Sequence, residues 1–278
     1  MKVSDSIINR ISDPNLRFMF MNEDFFLQVI DSYKNSYDRT PSGLMFYPVI
    51  RDEKVKSLVA YNSHGYYYVL CDNIDLNVVS SFLTKHREQI FSLYTKTTQF
   101  LALSKSLRFR FRKTVFFQYM KLLRENFQYR EYLYDNYFCR KCDPADFDAI
   151  KDIQKGYHLE EVYTDDYYPY EYEMSFFKNS LKKRVNYAVF DKKSLIGVSK
   201  GSVNGESIHN YQLGGVYTMP DKRNMGLSSY CLYEMLRNLF MKKQAVSLYV
   251  NINNHPAIAL YKKLNFENIF NINISYLN

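Results

Sequence analysis

Residues 211–240 read YQLGGVYTMPDKRNMGLSSYCLYEMLRNLF, and residues 251–266 read NINNHPAIALYKKLNF. The first stretch passes from an extended segment, His209 to Thr218, through the turn Met219-Pro220-Asp221-Lys222 into Arg223-Asn224-Met225-Gly226-Leu227-Ser228. A helix is predicted to open there. Cys231, Leu232, Met235, Leu236, Leu239 and Phe240 recur at the three-and-four spacing of one helical face. Strand, glycine-containing turn and helix is the order that aims free backbone N–H groups and the positive end of a helix dipole at an anion. Gly226 has no Cβ to hold that anion away, and small Ser228 keeps the next turn open. Arg223 adds a planar cation at the edge of the loop. The ligand implied carries phosphate and is held mainly by main chain.

Alone, R-x-x-G-x-S equally describes an ordinary loop before a helix. The second stretch changes the weighting. Val246, Leu248 and Val250 alternate along a strand that ends at Asn251. Asn254-His255-Pro256-Ala257 then starts a short helix carrying Leu260, Tyr261 and Lys263, closed by Asn265 before Phe266. Together these stretches resemble the GNAT superfamily of acyl-CoA-dependent N-acyltransferases, whose pattern is Q/R-x-x-G-x-G/A followed by N-x-x-A-x-x-L-Y-x-K-x-G-F. The resemblance spans residues 137–278. Ser228 stands where Gly or Ala is usual, a mild steric change that also offers the phosphate a hydroxyl. Asn265 replaces the usual Gly after the helix, and Asn tolerates the left-handed conformation best among the other residues.

The resemblance implies an α/β (α+β) GNAT fold with a mixed, mostly antiparallel central sheet flanked by helices. It implies acetyl-CoA as co-substrate, a primary amine of a small molecule or a protein as acceptor, direct attack on the thioester, and no metal. On that reading the strand Val216-Tyr217-Thr218 splays from the strand ending at Asn251, and pantetheine enters the gap. The main-chain N–H of Val216 is the candidate donor to the thioester oxygen. Gly214-Gly215 fits a strand bulge just before it. Arg223, Asn224, Met225, Gly226, Leu227 and Ser228 would hold the pyrophosphate, Asn254 the cofactor arm, and Tyr261 would be the general acid. For the base, Glu160, Glu161 and His209 are candidates, beside their plainer roles as surface carboxylates and a strand histidine.

The first half repeats this order of elements in weaker form. Residues 14–35 have the pattern of a helix with an apolar face, followed by a loop at Pro41-Ser42-Gly43. Leu44–Ile50, Val55–Tyr61 and Tyr66–Cys71 read as strands. A helix is expected from Asp75, as its cap, to about Lys96, with Val78, Val79, Phe82, His86 and Ile90 on one face, then a strand at Gln99–Leu103. We therefore expect a degenerate, non-catalytic GNAT-like domain over 1–130 and the GNAT N-acetyltransferase domain over 137–278. The turn Asp72-Asn73-Ile74-Asp75 has no glycine and sets two carboxylates where phosphate would approach. The tyrosine-rich segment QYREYLYDN reads as the linker.

Within 137–278, Tyr137–Cys142 is expected as a first strand. Asp143-Pro144-Ala145-Asp146 then caps a helix running through His158 to Glu160-Glu161. A loop, Asp165 to Glu171, precedes a second helix with Met174, Phe176, Phe177 and Leu181; the family places the acceptor groove between these elements. Carboxylates and tyrosine rings there suit a cationic amine, or simply a solvated loop. A hairpin, Val185–Phe190 and Ile196–Ser199, leads to the central strand.

Bulk composition narrows the alternatives. The chain has 278 residues, 46% of them hydrophobic, with no apolar run of membrane-spanning length and a polar N-terminus, which reads as cytoplasmic. Four cysteines suggest reduced thiols. Cys139 and Cys142 form a lone CxxC in a strand, where positions three apart face opposite ways, so a zinc site is not expected. The net charge of +8 is spread, with 19 basic and 14 acidic residues in 1–136 and 18 and 15 in the remainder. Lys105–Lys113 (KSLRFRFRK) is the densest basic segment and the basis of a nucleic-acid reading, against an ordinary amphipathic strand. A third reading is an idle acyl-CoA-binding regulator acting through the first half.

Overall fold

The computed structural model describes residues 11–35, 43–163 and 168–277. In chain order the first half contains α1 (Pro14–Met21), α2 (Glu23–Asn35), β1 (Met45–Arg51), β2 (Lys54–Tyr61) and β3 (Tyr66–Leu70). It continues through α3 (Leu76–Lys85), β4 (Ser92–Lys96), α4 (Thr97–Leu107) and β5 (Phe111–Leu123). The second half contains β6 (Tyr137–Lys141), α5 (Phe147–Tyr157), α6 (Tyr170–Lys183), β7 (Asn186–Asp191), β8 (Gly197–Glu206) and β9 (Asn210–Thr218). It ends with α7 (Leu227–Leu239), β10 (Ala245–Asn251), α8 (His255–Lys263) and β11 (Glu267–Leu277).

All these strands join one sheet in the order β1-β2-β3-β4-β11-β5-β10-β9-β8-β7-β6. Each half builds an antiparallel series and then adds one parallel strand after a helical crossover: β4 beside β3, and β10 beside β9. The two long strands in the middle are exchanged. β5, from the first half, lies against β10, while β11, from the second, lies against β4. β5 and β11 pair antiparallel with each other, so the sheet is nearly two-fold about its centre.

Helices cover both faces. α7 packs Leu232, Met235 and Leu236 over Tyr211, Val246 and Leu248. α5 and α6 bury Ile150, Phe177 and Leu181 against Ala188 and Phe190. α3 and α4 cover Val69 and Leu93 with Leu83 and Leu103. α2 buries Phe26 and Ile30 beside Leu58 and Ile272, and its Asp31 reaches the second half while Asp24 ties it to β5. Asp31 forms two hydrogen bonds with Arg184, at 2.7 and 2.6 Å, and Asp24 receives Lys121 at 2.8 Å.

Several expected features are present. Asp143 and Asp146 form a reciprocal capping box at Pro144. Asn265 has φ +65°, and the predicted strands at 44–50, 55–61, 66–71 and 137–142 agree to within a residue or two. Cys139 and Cys142 pack into different clusters. Other expectations are corrected. The 14–35 helix is broken at Asn22, whose side chain donates to the Phe18 carbonyl at 2.9 Å and closes α1. The helix from 75 stops at Lys85, and Ser92–Lys96, rich in β-forming residues, is a strand. Gln99–Leu103 is helical, within α4, which buries Leu103 and Leu107 at helical spacing. Asp75 makes no side-chain cap; its carboxylate is buried, accepting from Ser57 at 2.5 Å and from Arg51 at 3.3 Å. Within 105–113 the chain leaves α4 through Arg108 at φ +50°, and the strand begins only at Phe111. The segment expected as a linker lies along α7, with Tyr132 near Tyr233 and the Tyr129 hydroxyl 2.6 Å from Glu234. Pro41, Ser42, Asp165, Asp166 and Tyr167 lie outside the described residues.

The exchange makes each half depend on the other for its sheet. A fragment of residues 137–278 loses both neighbours of β11 and one wall of β10. We expect it to lack a cooperative thermal transition by circular dichroism, and to regain one when refolded with 1–136. A cooperative melt of the isolated fragment would refute that dependence.

Candidate functional site

β9 and β10 pair only from Asn210–Leu213 to Ala245–Leu248. Beyond those residues β9 stays hydrogen-bonded to β8, and β10 to β5, so the two strands part and leave a gap. On β9 the gap begins at a bulge: Lys200 faces Tyr217 and Ser202 faces Gly214, so β9 carries one more residue than β8 in between. Gly215 takes φ +59°, a conformation that costs an L side chain roughly 1–2 kcal/mol. The expected bulge and splay are therefore both in place, with Val216, Tyr217 and Thr218 along the gap.

At the end of β9 the chain turns through Pro220–Lys222 and enters α7 by way of Gly226, at φ +76°. Tyr134, from the preceding half, donates to the Met225 carbonyl at 2.8 Å and buttresses this loop. Arg223 is not free for an anion: it meets Glu160 at 2.6 Å and donates from Nε to the Thr218 carbonyl at 3.1 Å. Ser228 Oγ lies 2.6 Å from Thr218 Oγ1, so the hydroxyl expected to serve the phosphate turns inward instead.

The opposite wall carries α8. Asn254 Oδ1 caps it by accepting from Ala257 N at 3.2 Å, and its Nδ2 donates to Glu161 at 3.2 Å. Tyr261 is buried, and its phenol is raised above the ordinary tyrosine value by that burial, then by Tyr157 and Glu161. The floor comes from α5, which continues as one π turn, His158–Val162, a distortion that often marks functional sites. That turn presents Glu160 to the Tyr217 hydroxyl at 2.5 Å; this bond first, and Arg223 next, hold the Glu160 carboxyl below its usual value. Of the three base candidates, Glu160 is thus engaged, and Glu161 is within electrostatic range of Tyr261. His209 precedes β9 at its other end, remote from the gap.

Sequence reasoning missed Lys200, Tyr157 and His158 here. Lys200 is buried in β8, donating from Nζ to the Gly215 carbonyl at 2.8 Å, with its ammonium 5.2 Å from the Tyr157 ring and 5.7 Å from that of Phe177. Burial lowers Lys200 to about 8. Desolvation and Glu161 push Tyr157 up to about 12, against a hydrogen bond from the Gly215 backbone. His158 is buried between Gln154, at 2.7 Å, and the Tyr168 hydroxyl, at 3.1 Å. Burial keeps it below the usual histidine value, opposed by Glu173, whose carboxylate is 3.5 Å away. No sequence signal marked them: a lysine in a strand reads as a solvated position.

Residues 197–274, which hold the bulge, the loop and α8, match the family model for FR47-like proteins. A solved Drosophila protein superposes with a TM-score of 0.65 at 12% identity, covering 99% of this chain and 95% of that one. An N-acetyltransferase from Sphaerobacter thermophilus gives 0.58 at 13% identity, over 91% and 92%. A tandem GNAT protein from the clavulanic acid biosynthesis pathway gives 0.56 at 11% identity, over 88% and 86%. The fold is the GNAT fold. Its doubling within one chain, as in the tandem GNAT protein, accounts for the near two-fold sheet. Comparison with curated proteins found no match. Among the described residues of this GNAT-fold chain, no helix is long and apolar enough to cross a membrane.

Lys200 also predicts a pH dependence. Its folded value is near 8 and the free value is 10.5, so between them the unfolded state binds the extra proton and stability rises with pH. Wild type should therefore gain roughly 3 kcal/mol relative to Lys200→Met between neutral pH and the free-lysine value, measured by urea titration. A pH-independent difference would mean that Lys200 titrates as a solvated lysine.

Proposed function

We propose that this chain is an N-acetyltransferase that moves the acetyl group of acetyl-CoA to a primary amine. The observation that carries this reading is the parting of β9 from β10 between a left-handed glycine turn and a buried tyrosine. The edge of β9 from Gly214 to Thr218, unpaired with β10, offers pantetheine backbone partners, as a strand would. Asn224, Met225, Gly226, Leu227 and Ser228 offer main-chain N–H groups to the pyrophosphate at the positive end of α7. Arg223, bonded to Glu160 and to the Thr218 carbonyl, steadies the edge of the loop. Asn254 borders the cofactor arm, its side chain already committed to α8 and Glu161. The proposed modules are 1–130 and 137–278, with the site in the second. A cytoplasmic setting belongs to the same reading.

In the reaction, the neutral amine attacks the thioester carbon, a C–N bond forms and the C–S bond breaks. On this reading the Val216 N–H bonds the oxygen as negative charge develops there. Tyr261 donates toward the departing thiolate. Its raised pKa makes complete transfer uphill, so the phenol works chiefly by a hydrogen bond strengthened in the transition state. This reading takes Glu161 as the base, since its charge acts on both Tyr157 and Tyr261.

Gly226→Asp tests the loop. A side chain there takes the strained φ, meets the Tyr134 hydroxyl 2.8 Å from its Cβ, and brings a carboxylate to the pyrophosphate. Acetyl-CoA affinity should fall by at least ~2 kcal/mol by calorimetry, on the scale of an unpaired charge in a contact site. Unchanged affinity in a folded variant would move the phosphates elsewhere.

Tyr261→Phe tests the chemistry, because it keeps the ring that packs on Phe266 and removes only the hydroxyl. We expect normal folding, acetyl-CoA affinity within a few-fold, and a loss of roughly 100-fold in kcat, the scale of a positioned proton donor. Thiol release can be followed across polyamine, amino-acid, aminoglycoside and protein N-terminal acceptors. A kcat close to wild type would return Tyr261 to the core.

A further inference from the structure

We infer that Lys200 is a positioning residue that holds the β9 bulge, and with it the Val216 N–H, in the geometry the site needs before any ligand arrives. The inference rests on the proposed function for what Val216 does, and on geometry alone for the clamp. A bulge leaves backbone groups without their ladder partners, and here the Gly215 carbonyl is one of them. Lys200 Nζ bonds it at 2.8 Å from the neighbouring strand. A Cβ built on Gly215 would lie 2.8 Å from that same nitrogen, so backbone and ammonium fill the space completely. Tyr157 closes the other side, its ring 3.8 Å from that position.

The choice of lysine needs a reason, because burying an ammonium is costly. A neutral side chain of the same length, methionine, would fill the volume without that penalty. What it lacks is a donor. Leaving the Gly215 carbonyl unbonded would let the peptide between Gly215 and Val216 rotate, and that peptide carries the Val216 N–H. The rings of Tyr157 and Phe177 offset part of the charge burial by facing the ammonium. The remaining neighbours are the Cys142 and Cys231 thiols and the neutral His158. Glu173 lies behind His158, so no carboxylate competes for Nζ in the bonds described.

Amide hydrogen exchange on the full chain tests the clamp without any assumption about ligand. In wild type, the peptides covering 214–217 should be protected without acetyl-CoA; exchange at the rate of an open loop would overturn the proposal whatever any variant does. In Lys200→Met, exchange there should rise at least ~10-fold while the rest of β9 stays protected, and Lys200→Arg should restore protection. Acetyl-CoA titration and thiol release then connect the clamp to the site. kcat should fall at least ~10-fold in Lys200→Met with a smaller change in acetyl-CoA affinity, because the donor matters most in the transition state. Unchanged exchange and unchanged kcat in Lys200→Met would overturn the inference. Failure of wild type to bind acetyl-CoA would instead count against the proposed function and leave the exchange result standing on its own.

Discussion

Hydrogen bonding between β9 and β10 stops halfway, and most of the molecule is arranged around that stop. Buried strands normally pair along their length, because an unpaired backbone group costs on the order of 1–3 kcal/mol. Here two sets of backbone groups face one another across a gap and do not pair. Something must prevent the strands from closing. On one side the bulge at Gly215 turns β9 outward while β8 continues to hold its far edge. On the other, β10 is paired with β5 from Ala245 to Asn251, so it cannot swing inward without breaking that ladder. The far wall of the second half's site is therefore held by a strand from the first half.

The corresponding end of the first half's sheet is built differently. β3 and β4 pair from Tyr66–Ser92 to Val69–Thr95, and β3 ends one residue later at Leu70. β4 itself runs directly into α4 at Thr97, so no second wall exists to part from. The carbonyl of Cys71, where a ligand would meet the end of the strand, accepts from the Gln99 side chain. Arg51 pairs with both Asp72 and Asp75, which offsets part of the repulsion expected from their carboxylates. β3 and β4 thus have no unpaired continuation of the kind seen beyond Leu213 and Leu248.

The sequence was legible where function constrains the local backbone. Gly226, Asn265, the Gly214-Gly215 pair and the Asp143 cap each answer a conformational demand made within a few residues, and each was readable from its neighbours. The central strands were not, for a different reason. In β11, Ile272 and Ile274 face one covered side, while Asn273 and Ser275 are also buried. Thr95 bonds Asn273 at 2.9 Å, Asn273 bonds Ser275 at 3.1 Å, and Thr114 bonds Ser275 at 3.1 Å. A buried polar ladder gives the same alternation as a strand edge facing water, and only the partner strands reveal the difference. Exchange between halves hides those partners by up to 178 positions in sequence.

Lys200 was illegible by the same logic, carried into the site. A lysine in a strand reads as a solvated position, since burial without a partner is so unfavourable. Its partner is a carbonyl that exists only because β9 bulges, and the bulge exists only because β8 and β9 differ in count by one residue. The residue and its reason for being buried thus arise together from the register, three links away from the composition of either strand. Glu160 follows the same pattern, being a surface acid in sequence and, through the π turn, the partner of both Tyr217 and Arg223. What decides the chemistry of this groove is therefore less the set of titratable residues than the two irregularities, a bulge and a π turn, that bring their side chains to one gap.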